Sequence, residues 1–318
     1  MTKKILLSGG RGLVGQMLGD AMKASGWELR ILTRARSGHD CVHWDPMNGA
    51  IDLDALDDCH YVVHLAGENI AAGRWTRERK RLIMESRVNG TRLLAKALAK
   101  AKNPPRALLC ASGSNYYADN HGGSPWDENG PAGDSFLSKV CQNWEAAAEP
   151  AREAGIRVIH ARMGAVLTTK GGLLTRMLPA ICSGLGGIIG DGTQRISWIH
   201  ADDLVRALLF ILEHEELSGP VNVASPICAS NRELTKAIAT KLHRKVFLPM
   251  PGTLIRWLFG EMGEELLLAD NAVTPLKLLE AGMQWEFTEI DEAIADLLDE
   301  HRCWGKSDEK PAELEHKS

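Results

Sequence analysis

Cysteines at motif spacing, long apolar runs and an excess of basic residues are all missing from this 318-residue sequence. Each absence removes a class of function. The seven cysteines are scattered, with no C-x-x-C pair and no Cys/His cluster at zinc spacing, so no metal site is expected. A dispersed, odd set suits a reducing compartment. A formal net charge of −4 leaves no basic footprint for nucleic acid. No apolar run approaches the length of a membrane span, and no internal repeat is visible. Met1-Thr2-Lys3-Lys4 runs straight into an apolar stretch, so no signal peptide is read. The expectation is a soluble, cytoplasmic protein with neither a membrane nor a nucleic acid as partner. Hydrophobic content of 44% and charged content of 25% fit a globular chain of one large domain, or of a main domain with a smaller lobe.

What is present begins at the first glycine cluster, Ser8-Gly9-Gly10-Arg11-Gly12-Leu13-Val14-Gly15. Lys4-Ile5-Leu6-Leu7 before it reads as a buried parallel strand. Leu13, Val14, Met17, Leu18, Ala21 and Met22 after it recur at helical spacing, with Gly26 as a stop. Strand, glycine turn and helix form the context of a dinucleotide site. Gly9 permits the tight turn, Gly12 allows close approach of a pyrophosphate, and Gly15 lets the helix pack closely. The helix N-terminus offers free N–H groups to the phosphates.

Glu28-Leu29-Arg30-Ile31-Leu32-Thr33 reads as the second strand. Its end, where an NAD site commonly places a carboxylate for the ribose, carries Thr33, Arg34 and then Arg36. With Arg11 in the glycine loop, these guanidinium groups suit a 2′-phosphate, so NADP (NADPH) is the expected cofactor. The alternative is a set of solvated loop arginines. Tyr61–Gly67 supplies another strand, in which His64 is read as a packing residue. A helical segment covers roughly Thr76 to Lys100, with its opening charge run read as a solvated face.

Arg106–Ala111 returns to the sheet and ends in Ser112-Gly113-Ser114-Asn115-Tyr116-Tyr117, hydroxyls placed at a strand's carboxyl edge. Strands alternating with helices at this spacing imply an α/β fold with a doubly wound parallel sheet. Gly171 to Gly192 reads either as a mobile substrate-site loop or as a surface connection. Asp202 or Asp203 is expected to cap a helix beginning near Leu204. From Asn231 short helices and proline turns suggest a smaller lobe, with apolar faces from Leu254, Ile255, Leu258, Phe259 and Leu266–Leu268. The expected division is 1–230 for the nucleotide-binding domain, 231–300 for a substrate lobe and 301–318 for a disordered tail.

These segments resemble the extended short-chain dehydrogenase/reductase superfamily of NAD(P)-dependent epimerases and dehydratases. The carriers are SGGRGLVG, the strand ending HLAG, ASGSNYY and SWIHADDL. HLAGENIAAGRWT, GLGGIIGDGTQRISWIH and FGEMGEELLLADNAVTPLKLLEAG are similar to an atypical "epimerase family" subgroup with a C-terminal domain of unknown function. The resemblance runs from Lys3 to about Leu298. It implies a Rossmann domain with a mostly helical C-terminal lobe, and NADP at Gly9, Gly10, Arg11, Gly12, Leu13, Val14 and Gly15. It also implies Thr33 and Arg34 at the 2′-phosphate, with Leu65, Ala66 and Glu68 beside the cofactor.

Superfamily chemistry uses Tyr-x-x-x-Lys with a serine or threonine: tyrosine exchanges the proton, and lysine lowers its pKa and holds the nicotinamide ribose. Here Lys139 takes the lysine position or is a surface lysine, while Ser135 stands four residues earlier. Ser112 or Ser114 is the candidate serine and Tyr117 the candidate replacement acid. Two functions follow. One is an NADP-dependent oxidoreductase or epimerase acting on a small carbonyl or hydroxyl substrate. The other is an NADP(H)-binding sensor without turnover. Either a monomer or a homodimer is compatible with the sequence.

Overall fold

The computed structural model describes residues 3–34, 41–53, 56–246 and 250–299. Arg36 and the tail at 301–318 lie outside the described residues. At the centre is β1 (Lys4–Ser8), apolar on both faces: Ile5 and Leu7 turn to one core and Leu6 to the other. The same alternation recurs in β5 (Tyr61–His64), β6 (Ala107–Gly113) and β7 (Arg157–Met163). Tyr61, Val63, Leu109 and Ile159 face the first core, whereas Val62, Leu108 and Val158 face the second. Strands covered on both sides in this way form a parallel sheet between helical layers.

The main sheet also contains β2 (Glu28–Thr33), β3 (Cys41–Asp45), β4 (Ala50–Ile51) and β11 (Gly219–Val223). Its order is β11-β7-β6-β5-β1-β2-β3-β4, parallel except for the β3–β4 pair. From β1 the chain builds outward through β2 and β3, then crosses back to β5 and builds the other way. The carboxyl ends of β1 and β5 therefore flank the point where strand order reverses. Helices α1 (Leu13–Ala24) and α6 (Ala201–Glu213) cover one face, while α2 (Arg77–Leu98) and α4 (Glu149–Glu153) cover the other. This is the doubly wound arrangement expected from the sequence.

Helix α3 (Phe136–Ala146) follows β6, and β8 (Ala165–Leu167) and β10 (Trp198–His200) form a small parallel pair beyond β7. A short antiparallel pair joins β9 (Arg195–Ile196) to β12 (Ala229–Ser230). The C-terminal part is mostly helical: α7 (Asn231–Lys241), α8 (Gly252–Phe259), α9 (Glu261–Gly263), a π-turn over Glu264–Leu268, α10 (Leu276–Glu280) and α11 (Ile290–Leu297).

Three local readings differ from the structure. The glycine-rich stretch after Gly171 opens with a helix, α5 (Gly172–Cys182), because Leu174, Leu178 and Ile181 line one face. That face joins Leu234, Ile238 and Ile294 of α7 and α11 in a third core. Helix α6 begins at Ala201, and its cap is His200, whose Nδ1 accepts the Asp202 N–H; neither Asp202 nor Asp203 caps it. Asp203 instead accepts the N–H groups of Glu286 and Phe287. On α8 only Ile255 is buried, while Leu254, Trp257 and Leu258 remain exposed.

Candidate nucleotide-binding site

The glycine loop turns at the end of β1. Gly9 has φ +73°, and a Cβ there would lie 2.8 Å from the Leu65 carbonyl carbon, so the turn presses directly on the strand end of β5. Gly12 N–H donates to Gly9 O at 2.8 Å and closes the loop. A Cβ on Gly15 would come within 2.2 Å of that same Gly9 oxygen. The close packing of Gly15 is thus against the loop itself. Gly12 differs: a Cβ there would meet only Gly9 O, at 3.2 Å, and no other atom within 4 Å. Gly12 is also the N-cap of α1 and supplies no side-chain acceptor, so the first-turn N–H groups have no cap side chain.

This space and these donors fit a pyrophosphate at a helix N-terminus. Leu13 and Val14 open α1, and Arg11 is exposed within the loop. Gly10 packs on Ile31 of β2, which ends in Thr33 and is followed by the exposed Arg34. The residues present therefore fit a dinucleotide at the carboxyl ends of β1 and β5.

Beside the loop, Ser8 Oγ accepts the N–H groups of Leu65 (3.2 Å) and Ala66 (3.3 Å) and pairs with His64 Nδ1 at 2.6 Å. Three bonds thus tie the end of β1 to the end of β5. His64 is fully buried, as the sequence suggested, with its ring edge-on to Trp44. Leu65 and Ala66 are half-buried and Glu68 is exposed, its carboxylate paired with Arg79 at 3.1 Å. The charge run opening α2 is only partly a solvated face: Arg79 also donates to Asn69 O, and Lys80 pairs with Glu261 at 2.7 Å.

At the end of β6 the candidate residues separate. Ser112 Oγ donates to Glu145 at 2.7 Å, underneath α3. Glu145 is held by Arg162 through two bonds of 2.8 Å each. Arg162 Nη1 donates to the Tyr117 hydroxyl (2.8 Å), which in turn donates to Asn222 Oδ1 (2.7 Å). Burial pushes the Tyr117 pKa up to about 12, against the pull of the nearby Arg162. Tyr116 lies over the Arg162 guanidinium, 3.4 Å from the ring centroid. Neither the Tyr116 hydroxyl nor Ser114 Oγ makes a hydrogen bond among the described residues.

Lys139 is exposed on α3, and the Ser112 hydroxyl bonds Glu145 of the same helix. The residues of α3 that turn inward are Leu137, Ser138, Val140, Cys141 and Trp144. Cys141 is the one against the serine strand, with Sγ 3.6 Å from where a Cβ on Gly113 would stand. Sequence reasoning missed Glu145, Arg162 and Asn222. The available signal was an arginine between Ala161 and Met163 near the end of β7, which requires a partner if buried.

The C-terminal segment reaches this edge as well. Both Glu265 carboxylate oxygens accept first-turn N–H groups of α3, from Phe136 and Leu137 at 2.8 Å each. Phe136 in turn stacks edge-on with Trp75, 5.0 Å between ring centroids.

The NAD dependent epimerase/dehydratase family matches residues 5–224, and a domain of unknown function (DUF1731) matches residues 250–297. The chain belongs to the NAD dependent epimerase/dehydratase family. Within this family it is 38% identical over 292 residues to an epimerase family protein of Mycobacterium leprae, covering 92% of this chain and 94% of that one. The crystal structure of the human epimerase family protein SDR39U1 (isoform 2) with NADPH superimposes with a TM-score of 0.86 at 34% identity, over 93% of this chain and 99% of the human one. A nucleoside-diphosphate sugar epimerase from Corynebacterium glutamicum gives a TM-score of 0.78 at 31% identity, over 96% of this chain but 60% of that one. The family resemblance carried by the glycine loop and the C-terminal motifs is thereby established.

Proposed function

We propose that the chain binds NADP(H) across the β1–β5 crevice and works as an oxidoreductase or epimerase on a small carbonyl or hydroxyl compound. The observation that carries this is the glycine loop at the reversal of strand order, with exposed Arg11 and Arg34 beside it. That the human relative was crystallised with NADPH supports the same cofactor here. The α1 N-terminus and the Gly9–Gly12 backbone would hold the pyrophosphate, and Arg11 and Arg34 the 2′-phosphate. Leu65 and Ala66 would border the dinucleotide beyond the loop.

When bound, NADPH supplies a hydride. The protein must then exchange a proton with the substrate oxygen, and Ser114 and Tyr116 are the hydroxyls at the β6 edge with no hydrogen-bond partner among the described residues. Calorimetry with NADPH and NADH, followed by a screen of aldehydes, ketones and nucleotide sugars, tests the proposal. Equal affinity for the two cofactors removes the NADP preference. Binding without any turnover favours a second reading, an NADP(H) sensor. One observation supports that reading: the inward face of α3 presents Leu137 and Cys141, four residues apart, in place of a phenol and an ammonium.

A further inference from the structure

The edge at which a substrate would meet the dinucleotide is built from rings and from a run of carboxylates. The first turn of α3 packs on the turn that ends β6, with Ser138 Oγ donating to Asn115 O at 2.7 Å. Phe136 of that first turn, Trp75 of the loop after β5, and Tyr116 are all half-buried. Leu266, Leu267 and Leu268 of the π-turn, which follow Glu265, are half-buried as well. Apolar surface left partly open in this way is what lines a site for a small organic ligand.

A nucleoside diphosphate needs something else: a helix N-terminus or guanidinium groups for its phosphates. Both kinds of place are taken by carboxylates of the segment from Glu261 to Asp270. Glu265 fills the N-terminus of α3, its two oxygens accepting the Phe136 and Leu137 N–H groups at 2.8 Å each. Asp270 is buried and holds Arg195 through Nε at 3.0 Å and Nη2 at 2.7 Å. Lys80, 4.4 Å from the Phe136 ring centroid, pairs with Glu261 at 2.7 Å, and Arg162 beside Tyr116 is neutralised by Glu145. These pairs do not weigh the same. Lys80 and Glu261 are partly exposed and form a weak barrier. Glu265 is the stronger one, because a second anion at the same two N–H groups would have to displace it against like-charge repulsion. Arg74 and Lys139 are exposed, where a phosphate contact is screened.

We infer that Glu265 sets the substrate class: the site takes an uncharged, apolar carbonyl or hydroxyl compound and turns away nucleoside diphosphate sugars. The inference rests on the proposed function and names the substrate side of the same site. The test is calorimetry on the chain loaded with NADP+, which cannot reduce a ketone, with two probes: acetonaphthone, an uncharged aryl ketone, and UDP-glucose. Wild type is expected to bind acetonaphthone, and to bind UDP-glucose at least about tenfold more weakly. Glu265→Ala frees the two N–H groups, so the UDP-glucose Kd should fall by about tenfold while the acetonaphthone Kd stays within about twofold. Losing the Glu265 bonds also loosens α3, so thermal unfolding is followed in parallel. UDP-glucose should raise the melting temperature of Glu265→Ala and leave that of wild type unchanged. If Glu265→Ala does not fold, Glu265→Gln, which keeps an acceptor for one N–H group, carries the same comparison with a smaller gain. UDP-glucose binding to wild type as tightly as acetonaphthone overturns the inference. So does wild-type binding of neither probe, or a UDP-glucose affinity unaltered in the variants. A chain that fails to bind NADP+ at all overturns the proposed function itself.

Discussion

Ser8 and His64 form a buried pair in which the serine hydroxyl decides the histidine tautomer. Ser8 Oγ accepts two amide N–H groups, so its one proton goes to His64 Nδ1, 2.6 Å away. His64 therefore carries its own proton on Nε2. Burial lowers its pKa to about 4 from 6.5. The unfolded chain takes up a proton below pH 6.5 that the folded chain refuses until about pH 4. Stability contributed by neutral His64 is thus fully present above pH 6.5 and falls as the pH drops through that window, by about 3 kcal/mol in all. Urea unfolding across pH 4–7 checks this. His64→Asn, which keeps an acceptor for Ser8, should flatten the dependence; His160, also lowered by burial, keeps its own contribution. Identical slopes would contradict the assignment.

Two glycines of one loop should respond in opposite ways. Gly12 has φ −78°, open to any residue, and a Cβ there would meet only Gly9 O, at 3.2 Å, a contact that a small shift of the loop relieves. Gly12→Val should fold with near-normal stability and lose NADPH binding, because the side chain takes the phosphate space. Gly15→Ala should instead unfold more easily, by about 1–3 kcal/mol, since its Cβ would meet the Gly9 carbonyl oxygen at 2.2 Å. Thermal unfolding with calorimetry on both variants decides it. Wild-type affinity in Gly12→Val would mean that the phosphates bind elsewhere.

The division between what the sequence shows and what it hides follows the distance between partners. Ile5, Leu6 and Leu7 announce a strand buried on both faces because the signal lies within the strand. The turn at Gly9 is local in the same way. The network at the β6 edge joins Tyr117 to Arg162 and Asn222, which are 45 and 105 positions away, and no local pattern links them. Lys139 shows a different limit. Motif spacing placed it at the site, whereas the apolar spacing of Leu137, Val140, Cys141 and Trp144 marks the buried face of α3 and leaves Lys139 on the exposed one. In α5 the apolar face of Leu174, Leu178 and Ile181 was present but obscured by the surrounding glycines.

Cofactor preference should reside in the exposed arginines. Arg34→Ala is expected to weaken NADPH binding by about 1.5–3 kcal/mol, the contribution of a charge-assisted contact, and to leave NADH nearly unchanged. Titration of both cofactors against wild type and variant measures the difference. Equal weakening of the two would assign Arg34 to the shape of the loop and not to the 2′-phosphate.

Tyr117→Phe should cost stability and spare cofactor binding. The phenolic oxygen accepts from Arg162 at 2.8 Å and donates to Asn222 at 2.7 Å, in a side chain only 6% exposed. Removing it leaves Arg162 Nη1 with a single long contact, to Glu128 O at 3.5 Å, and leaves Asn222 Oδ1 without that donor. Stranding buried polar groups in this way costs about 1–3 kcal/mol. With its pKa pushed up to about 12 by burial, the phenol keeps its proton at neutral pH and serves the network. Tyr116→Phe is the contrasting variant, because the hydroxyl it removes has no hydrogen-bond partner among the described residues and its ring still covers Arg162. Thermal unfolding should therefore fall for Tyr117→Phe and hold for Tyr116→Phe, with NADPH affinity kept in both. Once a substrate is found, turnover completes the test: its loss in Tyr117→Phe at unchanged stability would return Tyr117 to the role of acid.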